Sequence, residues 1–133
     1  MTVLVDSNVI LDVATEDVRW GPWSTSALAE AAEEDDLAIN PIIYAEVSIR
    51  YETIEELEAA LPEAVFIKKA LPWEAAFLAG KVFVRYRRRG GTKRSPLPDF
   101  YIGAHAVLSG FSLLTRDPRR YRTCFPSLTL ISP

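Results

Sequence analysis

The sequence has one cysteine, Cys124, and one histidine, His105. A single cysteine excludes an internal disulfide, and one of each excludes a structural zinc site of the usual four-ligand kind. The same scarcity leaves no Cys–His or Ser–His pair for nucleophilic catalysis. No apolar run approaches the roughly 20 residues that cross a membrane. The opening MTVLVDS carries no basic segment and reaches Asp6 too early for a signal peptide, so a cytoplasmic protein with no membrane partner is expected. Internal repeats and low-complexity tracts are missing too. At 133 residues, 49% hydrophobic and 25% charged, the chain reads as one folded domain over residues 1–133 rather than as a disordered one.

Acids are scarce in one half only. Residues 1–74 hold sixteen acids and four bases, whereas residues 75–133 hold eleven bases and two acids, Asp99 and Asp117. The formal net charge of −3 hides this division. It predicts an acidic face and a basic face, and it singles out the two acids that persist among the bases.

Short apolar runs predict strands over 2–5, 37–39, 64–67, 111–115 and 128–131. Apolar spacing and capping residues predict helices over 7–14, 23–34, 41–51, 53–61, 72–89 and 98–108. Gly21-Pro22 reads as a break before the second helix, Asn40-Pro41 as an N-cap and first turn, Thr53–Glu56 as a capping box, and 90–98 as a loop. Strands alternating with helices imply parallel βαβ units. The expected architecture is a three-layer α/β/α domain with a short-stranded, mainly parallel five-strand sheet. Ligands bind such sheets beyond the carboxyl ends of the strands.

Four acids fall near that edge. Asp6 directly follows the first strand, Asp117 follows the fourth by two residues, Asp99 lies in the first turn of the helix from Pro98, and Glu46 lies in the helix from Asn40-Pro41. Each has a plain alternative: Asp6 as a helix cap, Glu46 paired with Arg50, Asp99 favouring a helix dipole, Asp117 opening a turn before Pro118. Ile42, Ile43 and Ile49 share the face of Glu46, which argues against a purely solvated side chain there. Together the four would repel unless a cation joined them. An all-oxygen set suits a hard ion, Mg²⁺ or Mn²⁺, and such a site suits metal-assisted hydrolysis of phosphodiesters.

"VLVDSNVILD", "NPIIYAEV", "LPDFYIGAHA" and "LLTRDPRRY" occur in the order and spacing of PIN domains, and the chain resembles most the ribonuclease toxins of VapC-type toxin–antitoxin pairs. The resemblance spans nearly the whole chain. It implies a parallel sheet flanked by helices and an acidic site that binds Mg²⁺ or Mn²⁺ and cuts RNA. Carried over by motif, Asp6, Glu46 and Asp99 would be metal ligands and catalytic acids. Asp117 would be the fourth, at the position that varies most in the family. Thr115, with Ser7 or Asn8, would orient ligands or water. Phe100, Tyr101 and His105 depart from the small aliphatics usual after the third acid. The resemblance also implies a homodimer and a small antitoxin whose tail occupies a basic groove.

The stretch "RYRRRGGTKR" supplies Arg85, Arg87, Arg88, Arg89, Lys93 and Arg94 just before Asp99, and Arg116, Arg119, Arg120 and Arg122 flank Asp117. These read as RNA phosphate contacts, with a solvated helix end as the alternative. Tyr86 and Tyr121 would stack on bases or pack in the core. His105 reads as structural, and Trp20, Trp23 and Trp73 as core or interface anchors. An Asp-nucleophile phosphatase wants a second Asp where Asn8 stands, and a phospho-acceptor receiver wants its Asp after the third strand, where "KKALPW" follows. The serious rival is a non-catalytic subunit that binds nucleic acid or an antitoxin and uses its acids as caps.

Overall fold

A computed structural model describes residues 1–133. The elements run β1 Thr2–Val5, α1 Ser7–Ala14, α2 Gly21–Glu34, β2 Asp36–Ile39, α3 Pro41–Ser48, α4 Ile54–Ala60, β3 Phe66–Lys68, α5 Trp73–Arg88, α6 Pro98–Ser109, β4 Ser112–Leu114, α7 Arg119–Cys124 and β5 Leu130–Ile131. All five strands are parallel, in the order β3-β2-β1-β4-β5. Parallel pairing demands crossovers, and right-handed crossovers put the helices after β1 and β2 on one face and those after β3 and β4 on the other. This is the expected three-layer α/β/α arrangement. The strand order reverses beside β1, so the crevice for a ligand opens beyond the ends of β1 and β4.

Val3, Leu4 and Val5 of the central strand are buried on both faces, as are Leu37, Ala38 and Ile39 of β2. That explains the unbroken apolar runs. The edge strand β3 instead exposes Ile67 and Lys68, and a lysine there discourages pairing with another sheet.

Several boundaries differ from the sequence expectation. β3 starts at Phe66 because the Val65 and Phe66 amides both donate to the Pro62 carbonyl, so the chain is still turning there. α2 starts at Gly21, since Pro22 fits a first turn whose amides have no partners anyway. α3 stops at Ser48, where the Arg50 and Tyr51 amides tighten onto Val47 and Ser48 carbonyls. The helix α7 falls where the sequence predicts none. Its signal is the spacing of Tyr121, Cys124 and Phe125, which places three packing side chains on one face of a single turn.

Candidate active site

The end of β1 and the start of α1 share one residue. The Asp6 amide donates to the Leu114 carbonyl (2.9 Å), completing the ladder with β4, while its extended backbone opens α1. Asp6 Oδ1 accepts the Ser7 amide at 2.8 Å. Its Oδ2 accepts the Thr115 hydroxyl at 2.9 Å, the Tyr121 hydroxyl at 3.0 Å and, at 3.4 Å, the Asn8 amide. The side chain is thus a cap and something more. Burial pushes the Asp6 carboxyl above its ordinary range and the nearby Asp99 charge adds to this, against the opposing pull of the donors.

Glu46 reaches the same place from α3. Its Oε1 accepts the Ser7 hydroxyl at 2.9 Å, and no pairing with Arg50 forms, because the helix has ended before that residue. Ile43 is buried beside it, Ile42 half-buried, and Ile49 lies exposed beyond the helix end. Burial raises the Glu46 carboxyl, and the charges of Asp6 and Asp99 raise it further. Asp99, second residue of α6, offers Oδ1 to the Tyr121 hydroxyl at 3.3 Å and Oδ2 to Arg120 at 3.1 Å. Asp117 lines the same cleft and donates its amide to Thr115 Oγ1. Its carboxylate is bonded to Arg119 at 3.2 and 3.4 Å rather than to the other acids, and this holds it below the usual range.

Thr115 joins these parts. Its hydroxyl donates to Asp6 and accepts from Asn8 (3.2 Å) and from the Asp117 amide (3.2 Å), which uses its whole bonding capacity. Asn8 Oδ1 in turn accepts the Arg116 amide at 3.2 Å. The cleft, about 820 Å³, is bordered by all four acids and by Arg89, Arg116, Arg119 and Arg120.

The bases divide differently from the sequence expectation. Of those between Arg85 and Arg94, only Arg89 lines the cleft. Arg87 donates to the Lys93 carbonyl at 2.8 Å and folds the loop back on α5, while Arg85, Arg88, Lys93 and Arg94 are exposed and do not line the cleft. Arg116 is committed inward: its Nε donates to Asp12 Oδ2 at 2.7 Å, and its guanidinium lies 5.7 Å from the Trp20 ring. Asp12, buried and also bonded to the Ser24 hydroxyl at 2.8 Å, is a residue the sequence analysis does not single out. Its signal is the i, i+4 relation to Asn8, which puts both on one side of α1. Arg120, which bonds Asp99, is a stronger cleft residue than most of the loop bases.

Tyr121 is in the core, 1% exposed, so it stacks on no base. Tyr86 lines the cleft and packs against Phe83 and Phe100, with Gly91 lying directly on its ring, where a Cβ would collide. His105 is buried away from the acids and shares a 3.0 Å bond with the Asn40 side chain. Trp23 packs on the core, whereas Trp73 is 88% exposed.

Donor chemistry is the test of fit for an ion. The four acids offer oxygen alone, two of them, Asp6 and Glu46, where burial and neighbouring acids disfavour their charge, and that set matches a hard divalent cation. As the side chains stand, no three acid, histidine or cysteine groups converge on one point. Their oxygens face Ser7, Tyr121, Arg119 and Arg120 instead. No helix is long and apolar enough to cross a membrane.

A family model described as PIN domain matches residues 3–126. No curated protein matches the chain. Among solved structures, VapBC2 from Rickettsia felis, bound to a DNA fragment from its promoter, is similar with a TM-score of 0.77 at 17% identity, covering 100% of this chain and 99% of that one. VapBC-1 from nontypeable Haemophilus influenzae gives 0.74 at 18%, over 99% and 98% of the two chains. A toxin–antitoxin complex from Klebsiella pneumoniae gives 0.69 at 22%, over 97% and 95%. At these identities the likeness is one of fold.

Proposed function

The chain belongs to the PIN domain family, and from that premise we propose that it is a divalent-metal-dependent endoribonuclease of the VapC toxin type, acting as one domain over residues 1–133. The observation that carries this reading is that β1, α3 and α6 bring Asp6, Glu46 and Asp99 close enough at one sheet edge for the Asp99 charge to disfavour those of Asp6 and Glu46, and the Asp6 charge that of Glu46. Folding gains nothing from such a cluster, so it is kept for a ligand of opposite charge.

Asp6, Glu46 and Asp99 would hold Mg²⁺ or Mn²⁺, and Asp117 would join them on leaving Arg119. When bound, the ion supplies an acidified water and neutralises charge developing on the phosphate. The chain's own part is to orient. Thr115 and Ser7 fix the rotamers of Asp6 and Glu46, and Asn8 fixes the loop that carries Arg116 and Asp117. Arg119 and Arg120, now paired with Asp117 and Asp99, would be free to contact an RNA phosphate once those acids held an ion. Water would attack phosphorus in line as the P–O3′ bond breaks, and the proton given up by the water would end on the departing 3′ oxygen.

The structures similar to this chain are toxin–antitoxin complexes. By extension a small antitoxin is the expected protein partner, RNA the substrate, a homodimer the assembly and the cytoplasm the compartment. One observation favours the non-catalytic alternative, a subunit that binds nucleic acid or an antitoxin: Asp6 does cap α1, and its oxygens already have donors.

Cleavage of a labelled mixed RNA pool, tRNA included, separates the two. Antitoxin-free protein is expected to cut with Mg²⁺ or Mn²⁺, not with EDTA, and not as Asp99→Asn. Absence of both cutting and metal binding would support the non-catalytic reading. In binding titrations of the same RNA pool in EDTA at several salt concentrations, Arg119→Gln with Arg120→Gln is expected to flatten the salt dependence more than Arg87→Gln with Arg88→Gln, by about one counterion for each phosphate deprived of its arginine.

A further inference from the structure

One buried polar group among the acids has no part in the chemistry above. Tyr121 Oη stands 3.0 Å from Asp6 Oδ2 and 3.3 Å from Asp99 Oδ1, and it is the one group bonded to both carboxylates. A phenol carries a single proton, so it donates to one of them at a time, and the second contact holds only while the oxygen is kept there by packing. The packing is in place. The ring is buried in the core, and the Phe125 amide closes α7 on the Tyr121 carbonyl at 2.8 Å. The Phe125 ring then sits on Gly103 of α6, where a Cβ would meet it. The hydroxyl is therefore delivered by the close approach of α7 to α6, the helix that carries Asp99.

We infer that Tyr121 is a positioning residue whose hydroxyl sets the spacing and orientation of Asp6 and Asp99 and so strengthens their hold on a divalent ion. This rests on reading those two acids as ion ligands. Like charges this close, one buried on Asp6 and one half-buried on Asp99, swing apart unless something pins them. A hydrogen bond to a ligating carboxylate from outside the ligand set fixes its rotamer, and losing one typically lowers metal affinity about ten- to a hundredfold.

Tyr121→Phe removes the hydroxyl and keeps the ring. The experiment titrates EDTA-stripped, dialysed protein with Mn²⁺ by calorimetry at constant pH, for the wild type, Tyr121→Phe and Asp99→Asn, and follows thermal unfolding of each in EDTA. Expected is a Mn²⁺ affinity about tenfold weaker in Tyr121→Phe, with an unfolding midpoint close to the wild type. A purely structural tyrosine would move the midpoint and leave the affinity alone. Equal affinity in wild type and Tyr121→Phe, with binding lost in Asp99→Asn, overturns this inference while the acids stand as ligands. Tighter binding in Tyr121→Phe overturns it as well, since the hydroxyl would then compete with the ion. No binding by the wild type overturns the ion reading itself, and the inference with it.

Discussion

Asp6 and Asn40 are counterparts. The register of β1 with β2, continued one step past the strands, places them side by side, with Lys69 and Thr115 completing the row. Both are buried, at 3% and 2% exposure, both have extended backbones, and both open a helix. Asn40 Oδ1 accepts the Ile43 amide at 2.9 Å and its Nδ2 bonds His105 Nδ1. Both polar atoms of the Asn40 side chain are matched, no charge is left, and the pair serves capping and packing. Asp6 satisfies its cap with one oxygen, while the other accepts the Thr115 and Tyr121 hydroxyls and the carboxyl lies desolvated beside the charge of Asp99. Capping alone therefore does not distinguish a site from a scaffold. What distinguishes them is carboxylate charge, on Asp6 and Glu46, gathered beside Asp99 with no cation bonded to it.

Asp6→Asn makes the first position chemically like the second and has the largest expected effect. The cap on the Ser7 amide can persist through Oδ1, but the atom that accepts the Thr115 and Tyr121 hydroxyls becomes a donor and the charge is gone. Metal-dependent cleavage is expected to fall about a thousandfold, equal to ~4 kcal/mol of transition-state stabilisation, while circular dichroism shows an unchanged fold. Cleavage at the wild-type rate would break the comparison.

Asn40→Asp is the reverse exchange. It keeps the cap but removes the donor to His105 and buries a charge. The expected loss is about 3 kcal/mol at pH 8, as for other uncompensated buried charges. pH sharpens the test. In the wild type, burial and the Lys69 charge lower the His105 pKa, so its contribution is present above the ordinary value and is lost as pH falls below about 6.5. The new carboxylate would raise that pKa. Its stabilising pairing would then be present below about 6.5 and lost as pH rises through the raised value. Denaturant melts at pH 5.5 and pH 8 should show the variant's deficit shrinking in acid.

Thr115→Val tests the neighbour that makes the Asp6 position polar. Shape is nearly kept, and the hydroxyl shared by Asp6, Asn8 and Asp117 is removed. About 1 kcal/mol of stability should go with it, read as a shift in the urea midpoint at constant slope.

This contrast also explains what the sequence discloses. An apolar run ended by a polar helix cap is visible at both positions, which is why strands and helices are readable and the strand-end row is not. Asp6, Glu46 and Asp99 stand out as acids near strand ends or helix starts. Their proximity depends on strand order, which no local pattern encodes. α7 is hidden because DPRR resembles a turn, and with it goes Tyr121 as a partner of the acids. The bases of 85–94 are conspicuous by number, yet a run of charge at a helix end turns mostly to solvent. Arg116 looks free because its buried partner, Asp12, lies 104 residues away.

The smallest expected effect concerns the charge that Glu46 adds to the cluster. Glu46→Gln keeps an oxygen for the Ser7 hydroxyl and deletes the repulsion with Asp6 and Asp99. A carboxyl whose folded pKa lies above its unfolded value binds its proton first in the folded state, so it gives back stability as pH falls from neutral through that raised pKa. In EDTA, then, the wild type should be stabilised relative to Glu46→Gln on moving from pH 7 toward pH 5. At pH 7 the variant should be the more stable of the two, by less than about 1 kcal/mol because the side chain is only half-buried. Removing the same charge must weaken Mn²⁺ binding, since what destabilises the empty cluster is what attracts the ion. A Glu46→Gln protein that was less stable than the wild type at pH 7 would place Glu46 with Asn40, among the groups that hold the fold together.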